Sequence, residues 1–143
     1  MLLLLFNLDW ERVMSTRVLI VEDDALTALG MSDVLNFAGF QVIGPARSVS
    51  EAINLAETMR PHVAVVDINL AGRRDGIEVA HMLKKSGTKV VFVTAQSSRR
   101  TLARAAKLKP AAFLPKPCEP RNFLAAVQEA AGPEHRTGIV RWV

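Results

Sequence analysis

A chain of 143 residues, half of them hydrophobic and 22% charged, makes one globular domain with a sizeable core and no room for a second. Its net charge of +4 raises nucleic acid as a partner. The cations are scattered, however, apart from Arg99, Arg100, Arg104, Lys107 and Lys109, which lie together without interleaved aromatics, and no reading motif is present. One cysteine, Cys118, excludes an internal disulfide, and the opening Met1–Phe6 run has no basic start and is too short for a signal core or a membrane span, so a cytoplasmic setting without membrane contact is expected.

Met14-Ser-Thr-Arg17 reads as a natural start. Residues 1–13 are then an N-terminal extension: a start-site artefact or disordered end, or else an apolar arm in which Leu2–Phe6 and Trp10 pack on a neighbour. The domain itself is expected over residues 14–131, with a tail over 132–143.

From Arg17 onward, strand-like and helical patterns alternate five times. Arg17–Val21 is an apolar run closed by Glu22-Asp23-Asp24. A helical pattern from Ala25 to Ala38 follows, with Gly39 as its stop and Asp24 either as its N-cap or as a direct metal ligand, the cap being favoured. Phe40–Ala46 is extended. Ser48-Val-Ser-Glu51 has the form of a capping box, and Val49, Ala52, Ile53, Ala56 and Met59 recur at helical spacing until Pro61. His62–Val66 is the third strand, closed by Asp67. Asp75-Gly-Ile-Glu78 opens a helix ending near Gly87, with Asp75 as N-cap and Gly76 allowing a close approach. Lys89–Thr94 is the fourth strand and Ser98–Leu108 a short helix. Ala111–Leu114 is the fifth strand, and Pro120 begins a helix with Phe123, Val127 and Ala130 on one face.

Strands rich in Val and Ile without alternation, each followed by a helix, predict a parallel sheet covered on both faces. Right-handed crossovers make it doubly wound, with a site outside the carboxyl ends of the strands. There, Glu22, Asp23 and Asp67 share one crevice, where they repel one another unless a cation neutralises them. Oxygen ligands without nearby Cys or His select Mg²⁺ or Mn²⁺. Thr94 with Ala95, and Lys116 followed by Pro117, close two further strands at the same rim.

This arrangement resembles the receiver domain of two-component response regulators. The resemblance covers Arg17 to Ala131 and rests on Val-Leu-Ile-Val-Glu-Asp-Asp (18–24), Val-Val-Asp-Ile-Asn-Leu (65–70), Asp75-Gly76, Val-Phe-Val-Thr-Ala (91–95) and Phe113-Leu-Pro-Lys-Pro117. It implies a five-stranded, flavodoxin-like sheet of order 2-1-3-4-5. It also implies that Asp67 takes a phosphoryl group from a histidine kinase or phosphotransfer protein. Mg²⁺ would be held directly by Asp23 and Asp67, by the Asn69 carbonyl, and through water by Glu22. Lys116 would pair with a phosphoryl oxygen, the Thr94 hydroxyl and the Ala95 N–H would donate to others, and Lys116–Pro117 is a candidate cis peptide. Gln96 and Asn69 would flank the phosphate and tune access of water.

By the same resemblance, Thr94 moves toward the phosphoryl group and Phe113, at the family's switch position, fills the space left. The alternative for Phe113 is an ordinary core aromatic. The expected output is a stand-alone regulator that is not an enzyme beyond its own phosphorylation and dephosphorylation. It would act on a downstream protein through the fourth helix and fifth strand, without direct DNA binding, and could form a homodimer through helix 4, strand 5 and helix 5. A phosphoryl sink or shuttle is the alternative.

Three rivals fit less well. A Mg-dependent hydrolase of the haloacid dehalogenase type needs an acid/base two residues after the nucleophile, where Asn69 stands. A flavin binder would meet repulsion from Glu22-Asp23-Asp24. A pseudo-receiver would not need the full set of charged positions. His62, His81 and His135 read as structural or exposed, Cys118 as a buried or half-buried thiol rather than a redox sensor, and Trp10 and Trp142 as packing against each other or a partner.

Overall fold

The computed structural model describes residues 16–70, 75–95 and 97–133. The expectations placed on residues 1–13, Gln96, His135, Trp142 and most of the tail lie outside the described residues. In chain order the elements are β1 (Arg17–Val21), α1 (Ala25–Phe37), β2 (Gln41–Ala46), α2 (Val49–Met59), β3 (Val63–Val66), α3 (Asp75–Lys85), β4 (Lys89–Thr94), α4 (Arg99–Ala106), β5 (Ala112–Pro115) and α5 (Pro120–Ala131). Each lies within one or two residues of its expected bounds. The five strands form one sheet of order β2-β1-β3-β4-β5, parallel at every pairing.

Alternate residues of the central strands feed two separate cores. Leu19, Val21, Ala64, Val66 and Phe92 join Ala52, Val79, Leu83 and Ala105 from α2, α3 and α4. Val18, Ile20, Val63, Val65, Val91 and Val93 join Ala28, Leu35, Phe123 and Val127 from α1 and α5. A strand buried on both faces has no need of polar alternation, hence the unbroken Val-Leu-Ile-Val and Val-Ala-Val-Val runs. Each fully buried aliphatic side chain contributes about 1.5–3 kcal/mol of burial.

Local chemistry sets the helix ends. Asp24 accepts from the Thr27 backbone N–H at 2.9 Å and caps α1 as expected. Ser48 caps α2 through the Glu51 N–H at 3.2 Å, but the Glu51 carboxylate reaches back to the Arg47 N–H at 2.8 Å instead of to the cap residue itself. Arg60 ends α2 in the left-handed region at φ 48°, and the Arg17 guanidinium bonds the Met59 and Arg60 carbonyls, satisfying groups the helix leaves open. Asp75, expected as an N-cap, is already helical. It sits in the first turn, where a negative charge meets the positive end of the helix dipole. Pro45 lies in β2, an edge strand, where a missing N–H is tolerated. Its bond to Gly44 is cis, as is the expected Lys116–Pro117 bond.

No helix among the described residues is long and apolar enough to cross a membrane.

Candidate phosphoacceptor site

The carboxyl ends of β1, β3, β4 and β5 meet at one rim. There Glu22, Asp23 and Asp67 each offer a carboxylate oxygen within 4.8 Å of the others. Backbone pairing carries them there: the Asp67 N–H bonds the Val21 carbonyl at 3.0 Å, and Val21 pairs with Val66 in register. Two acidic segments some 45 positions apart are thereby set side by side.

Lys116, after β5, reaches across the sheet to this cluster. Its Nζ donates to Glu22 Oε1 and, at 3.0 Å, to Asp67 Oδ2. The Lys116 N–H bonds the Thr94 carbonyl at 2.8 Å, which fixes where the side chain starts. Burial of Glu22 pushes its carboxyl above the ordinary range, the Lys116 ammonium opposes that, and the Asp67 charge adds to it. Burial alone would lower the Lys116 pKa, but its hydrogen bonds and charge pairing with Glu22 and Asp67 outweigh that and raise it. The ammonium is thus locked in its charged form between two acids.

Asp67 itself is nearly buried. Its Oδ1 accepts the Asn69 backbone N–H at 3.0 Å, so both oxygens are oriented by named donors. Thr94, 2% exposed, places its hydroxyl 3.4 Å from the Asn69 amide nitrogen. Ser97 joins this group, its hydroxyl accepting from Asn69 at 3.3 Å and lying 3.5 Å from Thr94 Oγ1. Sequence reasoning passed over Ser97. Its place three residues after Thr94, before the Ser98 cap of α4, was the available signal. Ala95 follows Thr94 directly and is exposed.

Two further contacts hold the acidic rim. The Arg47 guanidinium donates to the Asp23 carbonyl at 3.2 Å, tying the loop after β2 to the loop after β1. Gly76 lies against β3's exit: a Cβ there would stand 2.0 Å from the Asp67 carbonyl oxygen and 2.6 Å from Ile68 Cα. The close approach expected of Gly76 is therefore directly beneath Asp67.

The reading of Phe113 as a core aromatic is corrected. It is 37% exposed at the outer strand, where only one neighbour pairs with it. Its ring leans on buried Phe92 at 5.7 Å, and Phe92 lies two residues before Thr94 on the same side of β4. Cys118 is half-buried and its thiol is pushed up by burial, away from reactivity. His62 is structural, its Nδ1 accepting the Arg17 N–H at 3.0 Å, and His81 is exposed. Arg99, Arg100, Arg104, Lys107 and Lys109 are all exposed along α4 and its exit.

The donor set suits a small hard cation. Three carboxylates within one pocket, one of them buried with a raised pKa, are the chemistry that Mg²⁺ or Mn²⁺ relieves.

The response regulator receiver domain model matches residues 18–128. The chain is 32% identical over 123 residues to the transcriptional regulatory protein PdtaR of Mycobacterium tuberculosis, covering 85% of this chain and 60% of that one. It is 34% identical over 119 residues to the phyllosphere-induced regulator PhyR of Methylorubrum extorquens, covering 82% of this chain and 44% of that one. It therefore spans about half the length of these two relatives. The chemotaxis protein CheY of Thermotoga maritima matches over 99% of its length at 26% identity, covering 82% of this chain. Among solved structures, the signal receiver domain of a modulated diguanylate cyclase from Desulfovibrio desulfuricans superposes with a TM-score of 0.76 at 32% identity, covering 82% of this chain and 94% of that one.

Proposed function

The chain belongs to the response regulator receiver family, and from that premise we propose that Asp67 is its phosphoacceptor. The observation that carries this reading is the convergence on Asp67 of Lys116, the Asn69 N–H and the carboxylates of Glu22 and Asp23. In the proposed step, an Asp67 carboxylate oxygen attacks phosphorus in line. The P–N bond of a phosphohistidine breaks, and the imidazole nitrogen leaves with the electron pair. Lys116 then shifts its donors from Asp67 Oδ2 to a phosphoryl oxygen, and the Thr94 hydroxyl and Ala95 N–H supply further donors.

Asp23, Asp67, the Asn69 carbonyl and, through water, Glu22 would hold Mg²⁺ or Mn²⁺, which when bound neutralises charge on the transferring oxygens. The chain's own contribution is to orient Asp67, keep Lys116 charged, and exclude bulk water through the buried walls of the pocket.

Receiver domains are signalling modules, and this one is proposed to catalyse only its own phosphorylation and dephosphorylation in the cytoplasm. Its donor is a histidine kinase or a histidine phosphotransfer protein. The added charge on Asp67 draws Thr94 inward, and Phe113, on the same side of the sheet, repacks against Phe92. The signal passes to α4, whose exposed cations, with no acid between Ser98 and Lys109, suit an acidic face on a downstream protein. A homodimer through α4, β5 and α5 is proposed as a second use of the same face.

Incubating the protein with acetyl phosphate and following the intact mass tests the acceptor reading. One phosphoryl adduct is expected with Mg²⁺ and none with excess chelator. Labelling that is indifferent to chelation would sink it.

Lys116→Ala removes the one cation that, among the described residues, bonds both Glu22 and Asp67. Leaving a buried carboxylate unpaired costs about 1–3 kcal/mol, so denaturation in chelator should show a loss of that size. Saturating Mg²⁺ should recover most of it, because the metal replaces the missing charge. Activation should still fail, since no ammonium remains to meet the phosphoryl oxygen. Equal losses with and without Mg²⁺ would show that Lys116 acts elsewhere.

A further inference from the structure

The amino ends of the strands form a second edge, on the far side of the sheet from Asp67, since all five run parallel. Backbone pairing sets their entries in a row. The His62 N–H bonds the Arg17 carbonyl at 2.9 Å, the Lys89 N–H the His62 carbonyl at 3.0 Å, and the Ala111 N–H the Val90 carbonyl at 2.8 Å. Two hollows of about 680 and 340 Å³ open along this edge and share a saddle of Gly87, Thr88, Lys89 and Ala130. The larger also takes in Arg60 and His62, the smaller Lys84 and Lys109. Together they hold four cations against two carboxylates, Glu57 and Glu129.

Helix ends account for part of this charge, because a cation suits the negative end of a helix dipole. Arg17 meets that need at the Met59 and Arg60 carbonyls, and Lys84 at the Leu108 carbonyl. Arg60, Lys89 and Lys109 remain. All three are exposed, and among the described residues none is ion-paired. Arg60 and Lys109 are also, among the described residues, the two non-glycine residues at positive φ, 48° and 50°. A glycine would hold either turn at less conformational cost, so chain reversal alone gives no reason for a cation at both.

We propose that this double groove binds a short polyphosphate chain, free or carried on a small molecule. The hollows have the volumes of a small-molecule site. The Arg60 guanidinium offers a planar fork to one phosphoryl group, and Lys89 and Lys109 offer point charges to the next. Adjacent strands lie about 4.8 Å apart, so the entries of β3, β4 and β5 span about 10 Å, a reach that suits linked phosphoryl groups rather than one. Apart from the His62 imidazole, no aromatic ring lines either hollow. A nucleobase therefore has no stacking platform, and the phosphate chain itself is what is read.

Calorimetric titration of the full chain with inorganic tripolyphosphate tests this, in excess chelator so that no metal bridges the probe to the acidic rim. Saturable one-to-one binding is expected, and Asp67→Asn should bind equally well, which separates the groove from the acceptor site. Lys89→Ala should weaken binding about tenfold, and Lys109→Ala and Arg60→Gly about fivefold each. Arg60→Gly should do so while holding or raising the denaturation midpoint, so that lost fold cannot explain the loss. Arg99→Ala and Arg100→Ala on α4 should stay within about twofold of the wild type. Adenosine triphosphate should match tripolyphosphate to within about threefold, and a mixed-sequence single-stranded oligonucleotide should not displace the probe at equal phosphate concentration. Absent or unsaturable binding overturns the proposal. So does equal weakening by the α4 changes, a strong preference for the nucleotide, or displacement by the oligonucleotide.

Discussion

Asp67→Asn should reduce labelling by acetyl phosphate about a thousandfold or more, to background, the scale of losing a nucleophile outright. The substitution is close to isosteric. The amide oxygen still accepts the Asn69 N–H that Oδ1 accepts now at 3.0 Å. What is lost is the negative charge, and with it the attacking electron pair and one of the two acids that Lys116 bridges. Loss of that charge has an offsetting benefit, because Asp67 is one of the causes of the raised Glu22 pKa. Stability should therefore stay within about 1 kcal/mol of the wild type while labelling disappears. Undiminished labelling at unchanged stability would move the acceptor to another residue.

Gly76→Ala should damage the site through the backbone. The added methyl has to occupy a point 2.0 Å from the Asp67 carbonyl oxygen and 2.6 Å from Ile68 Cα. Both are main-chain atoms at the end of a buried strand, so neither can swing aside as a flexible side chain would. Overpacking of this kind costs about 1–3 kcal/mol or more. Either α3 moves away from β3, breaking the Gly76 N–H bond to the Ile68 carbonyl (3.1 Å), or the Asp67 segment shifts. In both cases the Asp67 carboxylate leaves the reach of Lys116 and Asn69. Denaturant midpoints and labelling rates should fall together. Wild-type values of both would mean that α3 has slack the packing does not reveal.

These two substitutions mark different depths of legibility. Asp67 declares itself in the sequence because a carboxylate closing a Val-Ala-Val-Val run can be recognised from local chemistry. Gly76 announces a close approach without saying to what, and its partner is nine residues back along the chain.

The chain order of apolar runs, caps and breakers determined the alternation of strands and helices, and with it the rim where the chemistry sits. It could do so because hydrophobic period and capping residues act within a few positions of the backbone. The pairing of Lys116 with Glu22 and Asp67, the entry of Ser97 beside Thr94, and the exposure of Phe113 were settled only by folding. Each depends on strand register and on which strand lies at the edge. Helix α1 makes the same point most sharply. Its apolar residues are spread around more than one side, and nothing local distinguishes Leu35, fully buried, from Phe37, nearly bare. Only the width of the sheet and the position of α5 decide which of them the core covers and which it leaves exposed.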